Sequence, residues 1–174
     1  MIELKNSIYF DVPKTGGSWV SEGLVQYMNG KFELGSSHQP PKGKYKKFTF
    51  TFIRHPVDWY RSYYASRDEV VSFNEFVKYA YSGKARFFND KPWTSYSDYL
   101  KPFLECDFVG KTESLKDDLR TALAGEAFDE DVLLNRPKVN IAKKKVDIDD
   151  ESRKLIEKKE KYIIDKYYDL SNNA

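Results

Sequence analysis

Cysteine occurs once in the 174 residues, at Cys106, and histidine twice, at His38 and His55. One thiol makes no intrachain disulfide and no cysteine-built zinc site, and two imidazoles add too few ligands for a structural metal. Long apolar runs are missing: none approaches the roughly 20 residues of a membrane-crossing helix. Met1 leads almost at once into a strand pattern rather than a signal peptide, so the cytoplasm is the expected compartment. An excess of one charge is missing too. The 29 Lys and Arg against 27 Asp and Glu leave a net charge of +2, which excludes a general polyanion binder. There are no repeats and no low-complexity linkers, and the length suits a single domain, 1–174, with a real core.

What is abundant is aromatic: 13 Tyr and 12 Phe raise the aromatic share to 16%. Core packing is the ordinary use of such residues, and flat side chains also stack on a base. Charge is unevenly spread. Residues 1–67 carry ten Lys or Arg against five acids, a balance of +5, so the remainder holds −3. A positive bias of that size suits a small anionic ligand better than a nucleic-acid duplex.

Ser7–Val12 reads as a buried strand. The chain then enters Pro13-Lys14-Thr15-Gly16-Gly17-Ser18, a glycine-rich turn, and from Trp19 to Met28 apolar residues recur at helical spacing until Asn29-Gly30. Phe32–Leu34 predicts a short strand, 35–47 a loop, and Phe48–Ile53 a strong strand ending at Arg54. Pro56 suits the first turn of a helix over Val57–Ser66. Further helical patterns cover Phe73–Tyr81, Tyr96–Leu104, Leu115–Leu123 and Glu151–Tyr168, with a strand at Phe108-Val109. The last helix interleaves acids and lysines as an exposed helix does, and it carries no assigned chemistry. Strands alternating with helices predict an α/β fold with a central parallel sheet, whose ligands bind at the carboxyl ends of the strands.

A two-glycine loop between strand and helix presents backbone N–H groups, and the helix N-terminus adds partial positive charge. Lys14 supplies a full charge, and Thr15 and Ser18 supply hydroxyls. The combination cradles a phosphate or sulfate. It is not the triphosphatase P-loop, because Gly-Lys-Ser/Thr is absent and the lysine here precedes the glycines. A second anion position follows: Arg54 ends its strand, and Ser62 stands eight positions later in the next helix.

These segments carry a resemblance. Val12-Pro13-Lys14-Thr15-Gly16-Gly17-Ser18-Trp19 resembles the 5′-phosphosulfate loop of sulfotransferases that use 3′-phosphoadenosine 5′-phosphosulfate (PAPS). Phe52-Ile53-Arg54-His55-Pro56 with Arg61-Ser62-Tyr63-Tyr64 is similar to their 3′-phosphate motif, and Phe108–Leu115 to a later strand-and-turn segment. Three segments in order are far more specific than any one of them. The resemblance implies a three-layer, P-loop-like α/β fold with helices flanking the sheet. It also implies PAPS as donor, its product PAP (adenosine 3′,5′-bisphosphate), and no metal. Lys14 would contact the phosphosulfate bridge, and Thr15, Gly16, Gly17 and Ser18 would hold the 5′ end. Arg54 and Ser62 would grip the 3′-phosphate, while Trp19 falls where cytosolic members set a tryptophan against adenine. Helix packing is the alternative use of Trp19.

Sulfuryl transfer to a hydroxyl needs a base, and an imidazole suits that work. His38-Gln39-Pro40, in the loop before the arginine strand, resembles the catalytic His-x-Pro of many sulfotransferases. His55 is expected to be structural, and Glu22 and Glu113 rank below His38 as bases. Two departures stand out. Ser36 replaces the lysine found two places before the histidine in cytosolic enzymes, leaving Lys42 or Lys44 as stand-ins. The late Arg-Lys-Gly motif is also missing, with Arg136-Pro137-Lys138 and Lys143-Lys144-Lys145 as basic segments nearby. Trp93, Tyr96, Tyr99 and Phe103 read as core before cleft. The expected acceptor is a sugar, phenol, tyrosine or alcohol hydroxyl, with neither nucleic acid nor a membrane span involved. A small-molecule kinase of related fold and a non-catalytic nucleotide-binding module are the competing readings.

Overall fold

The computed structural model describes residues 1–35, 37–67, 71–87, 91–92, 94–137, 139 and 146–169. In chain order its elements are β1 (Ile2–Glu3), β2 (Ser7–Phe10), α1 (Gly17–Met28), β3 (Lys31–Phe32), β4 (Phe48–Ile53), α2 (Pro56–Ala65) and α3 (Phe73–Ala80). Then come β5 (Arg86–Phe87), β6 (Lys91–Pro92), α4 (Tyr96–Leu100), β7 (Phe108–Lys111), α5 (Leu115–Ala122), α6 (Glu130–Leu134), α7 (Asp150–Lys159) and α8 (Lys161–Tyr167). Two compact units result: Met1–Arg54 with Pro102–Ile141, and His55–Lys101 with Ala142–Ala174.

The first unit is built on a five-stranded sheet of order β3-β1-β2-β4-β7. β2, β4 and β7 run parallel, while β1 pairs antiparallel with both β2 and β3. The sequence of β4, Phe48-Thr-Phe-Thr-Phe-Ile53, explains its central place. Phe50 and Phe52 project to one face and join Tyr9, Trp19, Leu24, Leu119 and Leu133 in the core. Thr49 and Thr51 are buried on the other face, and their hydroxyls are satisfied there: Thr51 Oγ1 donates to the Phe10 carbonyl at 2.7 Å and Thr49 Oγ1 to Asp107 at 2.8 Å. Gly110 on β7 lets the Phe52 ring lie flat against the strand; a Cβ there would sit 2.6 Å from Phe52 Cε1. The unit is therefore mixed α/β, with a mainly parallel sheet and packed helices.

The second unit centres on Trp59, buried and stacked on Tyr96 at 4.4 Å and on Tyr63 at 5.3 Å between ring centroids. Pro56 opens α2 as expected of an N-terminal proline. Ser72 and Glu75 form a capping box on α3, the hydroxyl accepting from the Glu75 N–H and the carboxylate from the Ser72 N–H.

Four expectations change. The edge strand is Lys31–Phe32 rather than Phe32–Leu34, because Leu34 lies in a turn and is 91% exposed. β2 ends at Phe10, so Asp11 and Val12 belong to the loop. The helix from Tyr96 stops at Leu100, with Pro102 close behind, and a 3-10 turn at Phe103–Glu105 follows. The long exposed helix expected over Glu151–Tyr168 is two helices, α7 and α8, broken at the fully buried Glu160.

Candidate active site

Because β2 and β4 are parallel neighbours, their carboxyl ends open on the same edge of the sheet. From β2 the chain runs through Asp11-Val12-Pro13-Lys14-Thr15-Gly16 into α1; from β4 it reaches Arg54. Val12 and Pro13 are buried and anchor the loop. Thr15 is buried as well, and its hydroxyl donates to the Val12 carbonyl at 2.7 Å. That single proton is thus spent on bracing the turn, which leaves the Thr15 backbone, not its side chain, for a ligand. The Thr112 hydroxyl, just past β7, lies 3.1 Å from the Thr15 carbonyl and 2.9 Å from that of Ile53. One side chain therefore links the turn after β7 to the Lys14 loop and to the end of β4.

Gly16 caps α1 at φ 85°, a left-handed geometry natural to glycine. Among the described residues no side chain caps this helix and its first turn holds no acid. The leading N–H groups of a 12-residue helix are left to solvent or an anion. Ser18, in that first turn, is exposed.

Lys14 and Arg54 meet at this edge. Arg54 Nη1 donates to the Lys14 carbonyl at 3.3 Å. Burial first, and then the Arg54 charge, push the Lys14 ammonium below the usual lysine value. Among the described residues no carboxylate pairs with Lys14. Two cations held together against their repulsion, beside uncapped helix amides, make a receptive site for an anion.

His38 joins the same edge through Asp11. Its Nδ1 lies 3.1 Å from Asp11 Oδ2, and the Tyr9 hydroxyl donates to Asp11 Oδ1 at 3.1 Å. The Asp11 carboxylate raises the His38 pKa from its ordinary value, against the opposing effect of burial. Outside glycine, positive φ occurs among the described residues at Lys14 (70°), Asn29 (53°) and His38 (57°). Asn29 ends α1, an ordinary use of that conformation. The other two are the residues whose chemistry the motifs single out, and sparsely populated backbone geometry concentrates at functional sites.

Trp19 is 6% exposed and belongs to the core cluster. The Arg136 guanidinium covers its ring at 4.4 Å and donates to its carbonyl at 2.7 Å, so this indole is a packing residue here. Ser62 sits half-buried on α2 of the second unit. His55 is the N-cap residue of α2, its ring edge-on to Tyr168 at 5.0 Å, in keeping with a structural part. Glu22, Glu113, Lys42 and Lys44 are exposed; Tyr96 and Phe103 are buried core. Ser36, Trp93, Lys138 and Lys143–Lys145 lie outside the described residues. Asp11, one of five acids in the charge balance of residues 1–67, has no part in the sequence motifs. The signal for it is its setting: a carboxylate directly after a strand and three places before Lys14, flanked by Phe10 and Val12.

Among the described residues no helix is long and apolar enough to cross a membrane, and no cluster of three or more His, Cys, Asp or Glu is arranged to hold a metal ion. No curated protein matches the chain. The model of the Sulfotransferase family matches residues 5–170, which takes in the Lys14 loop, His38, Arg54 and Ser62 alike. The chain belongs to the sulfotransferase family.

Proposed function

We propose that this chain transfers a sulfuryl group from PAPS to an acceptor hydroxyl, with His38 as the base and PAP as the product. One observation carries the reading: Lys14 and Arg54 stand together at the ends of two adjacent parallel strands, beside the open N-terminus of α1. The donor set suits a molecule with phosphate at both ends and calls for no metal. In this reading the mixed sheet is the core of a three-layer, P-loop-like fold. The family match, running through both compact units, supports treating 1–174 as one sulfotransferase domain. The proposed compartment is the cytoplasm.

When bound, the donor supplies a sulfuryl group activated by its phosphate leaving group. The chain's own work is positioning and charge. Backbone N–H groups of Thr15, Gly16, Gly17 and Ser18 hold the 5′ end, joined by the Ser18 hydroxyl. Lys14 holds positive charge where the leaving phosphate gains negative charge. Arg54 grips the 3′-phosphate. Trp19 serves as the wall behind the loop rather than as a platform for adenine, in line with its burial. His38 takes the proton of the acceptor hydroxyl, in line with transfer directly between donor and acceptor.

Isothermal titration with PAP tests the site. Arg54→Ala should lose about 2–4 kcal/mol of binding, roughly 30- to 1000-fold, from its charge-assisted contacts. A wild-type chain that binds no PAP ends the reading, and magnesium-dependent binding of ATP instead would favour a kinase. A labelled-sulfate screen across sugar, phenol, tyrosine and alcohol acceptors, repeated with His38→Ala, tests the base. Binding of PAP with no transfer to any acceptor would favour a non-catalytic module.

A further inference from the structure

We infer that Asp11 is the positioning residue for His38, fixing which imidazole nitrogen is left to meet the acceptor; the inference rests on the proposed sulfuryl transfer. Three features of the first unit support it. Asp11 Oδ2 lies 3.1 Å from His38 Nδ1, and that nitrogen is itself buried although the side chain is 41% exposed. The exposure therefore belongs to the rest of the side chain. With the Asp11 carboxylate 3.1 Å away favouring a proton on Nδ1, the neutral ring carries its lone pair on Nε2, the tautomer a general base needs.

The carboxylate is itself held. Its side chain is 17% exposed, and Oδ1 accepts from the buried Tyr9 hydroxyl at 3.1 Å. It occupies space that only glycine leaves open: a Cβ on Gly17 would fall 1.8 Å from Asp11 Oδ1. Gly17 thus has a second use besides lining the anion loop. His38 keeps a left-handed backbone at φ 57° in presenting its ring to this carboxylate.

The step balances simply. The acceptor oxygen forms its bond to sulfur as the bond from sulfur to the bridging phosphate oxygen breaks. The departing bisphosphate keeps that electron pair. The hydroxyl proton passes to His38 Nε2, and the imidazolium so formed is stabilised by Asp11 until it loses the proton to solvent. The charged or titratable groups facing the ring among the described residues are Asp11 and the Met1 amino group, with Tyr9 behind Asp11.

The test compares wild type, Asp11→Asn, Asp11→Ala and Asp11→Ala/His38→Ala with the acceptor found by the sulfate screen. Asp11→Asn keeps a hydrogen-bond acceptor but no charge. Its acid limb of kcat/KM should move to lower pH, and the His38 imidazole titration followed by NMR should move with it. Asp11→Ala should lower kcat about 100-fold while PAP affinity stays within about threefold, and it should cost nothing further once His38 is alanine. Thermal melting establishes that each variant folds, and an unfolded Asp11→Ala leaves Asp11→Asn to decide. An unmoved acid limb and an unmoved imidazole titration in a folded Asp11→Asn overturn the inference while leaving sulfuryl transfer standing. A wild type with no transfer overturns both.

Discussion

Glu160 offers the most quantitative perturbation. It is fully buried in the second unit, at the break between α7 and α8. Oε1 accepts from the hydroxyls of Tyr60 at 2.8 Å and Tyr81 at 2.7 Å and from the Tyr96 N–H at 3.0 Å. Oε2 accepts from the Ser97 N–H at 2.7 Å and from the Ser97 hydroxyl. Burial, with Tyr60 and Glu160 alongside, drives the Tyr81 phenol far above the usual tyrosine value, so it stays a donor. Glu160→Gln preserves the shape but turns one acceptor into an NH2 group. The orientation that keeps the three bonds to Oε1 sets the new amide against the Ser97 N–H. The Ser97 hydroxyl is free to rotate and accept; the backbone N–H is not. One buried N–H left unpaired costs about 1–3 kcal/mol, and the surviving bonds lose their charge assistance. The lower desolvation cost of a neutral amide offsets part of this. We expect a net loss of about 2–4 kcal/mol, or a fall in Tm of about 4–16 °C for a chain of this length. Scanning calorimetry measures it, and tryptophan fluorescence follows Trp59, which stacks on Tyr96. A Glu160→Gln chain within about 0.5 kcal/mol of wild type would refute the reasoning.

Two smaller perturbations test other parts of the fold. Alanine for glycine inside a helix ordinarily adds about 1 kcal/mol, but Gly23→Ala on α1 would place its Cβ 2.1 Å from Arg136 Nη2. Displacing that guanidinium from Trp19 should reverse the sign, with a net loss of about 1–2 kcal/mol in urea unfolding; a gain would mean that Arg136 leaves at no cost. Asp149 caps α7, and its bonds from the Ser152 hydroxyl and N–H hold its pKa at about 2, below the usual 3.8. A depressed value gives stability that is present above the usual carboxylate pKa and lost as pH falls through the folded one. Asp149→Ala should therefore cost about 1 kcal/mol at pH 7, and the gap from wild type should close as pH approaches 2; a gap independent of pH would contradict the capping role.

Much of the scaffold was legible because its signals are local. The alternation in Phe48–Ile53 gives β4 at its full length, Pro56 marks the start of α2, and Asn29-Gly30 marks the end of α1. The strand–loop–helix order around Lys14 and the strand-end place of Arg54 also needed only neighbours along the chain. The two-residue strands β1 and β3 and the five-residue helix α6 were harder to anticipate, since elements so short are stabilised by pairing and packing rather than by their own period.

What the sequence determined by itself is therefore the opening strand–loop–helix unit, the strand Phe48–Ile53 with the helix after it, and the parallel core they imply. Which charges would meet was decided only by tertiary structure. Asp11 takes its meaning from His38, 27 positions away, and Glu160 from Ser97 and Tyr60, 63 and 100 positions away. A charge pattern along a helix reports the face it shows to water when nothing intervenes. A carboxylate turns inward only where distant donors converge to replace its hydration, and that convergence exists only once the chain has folded.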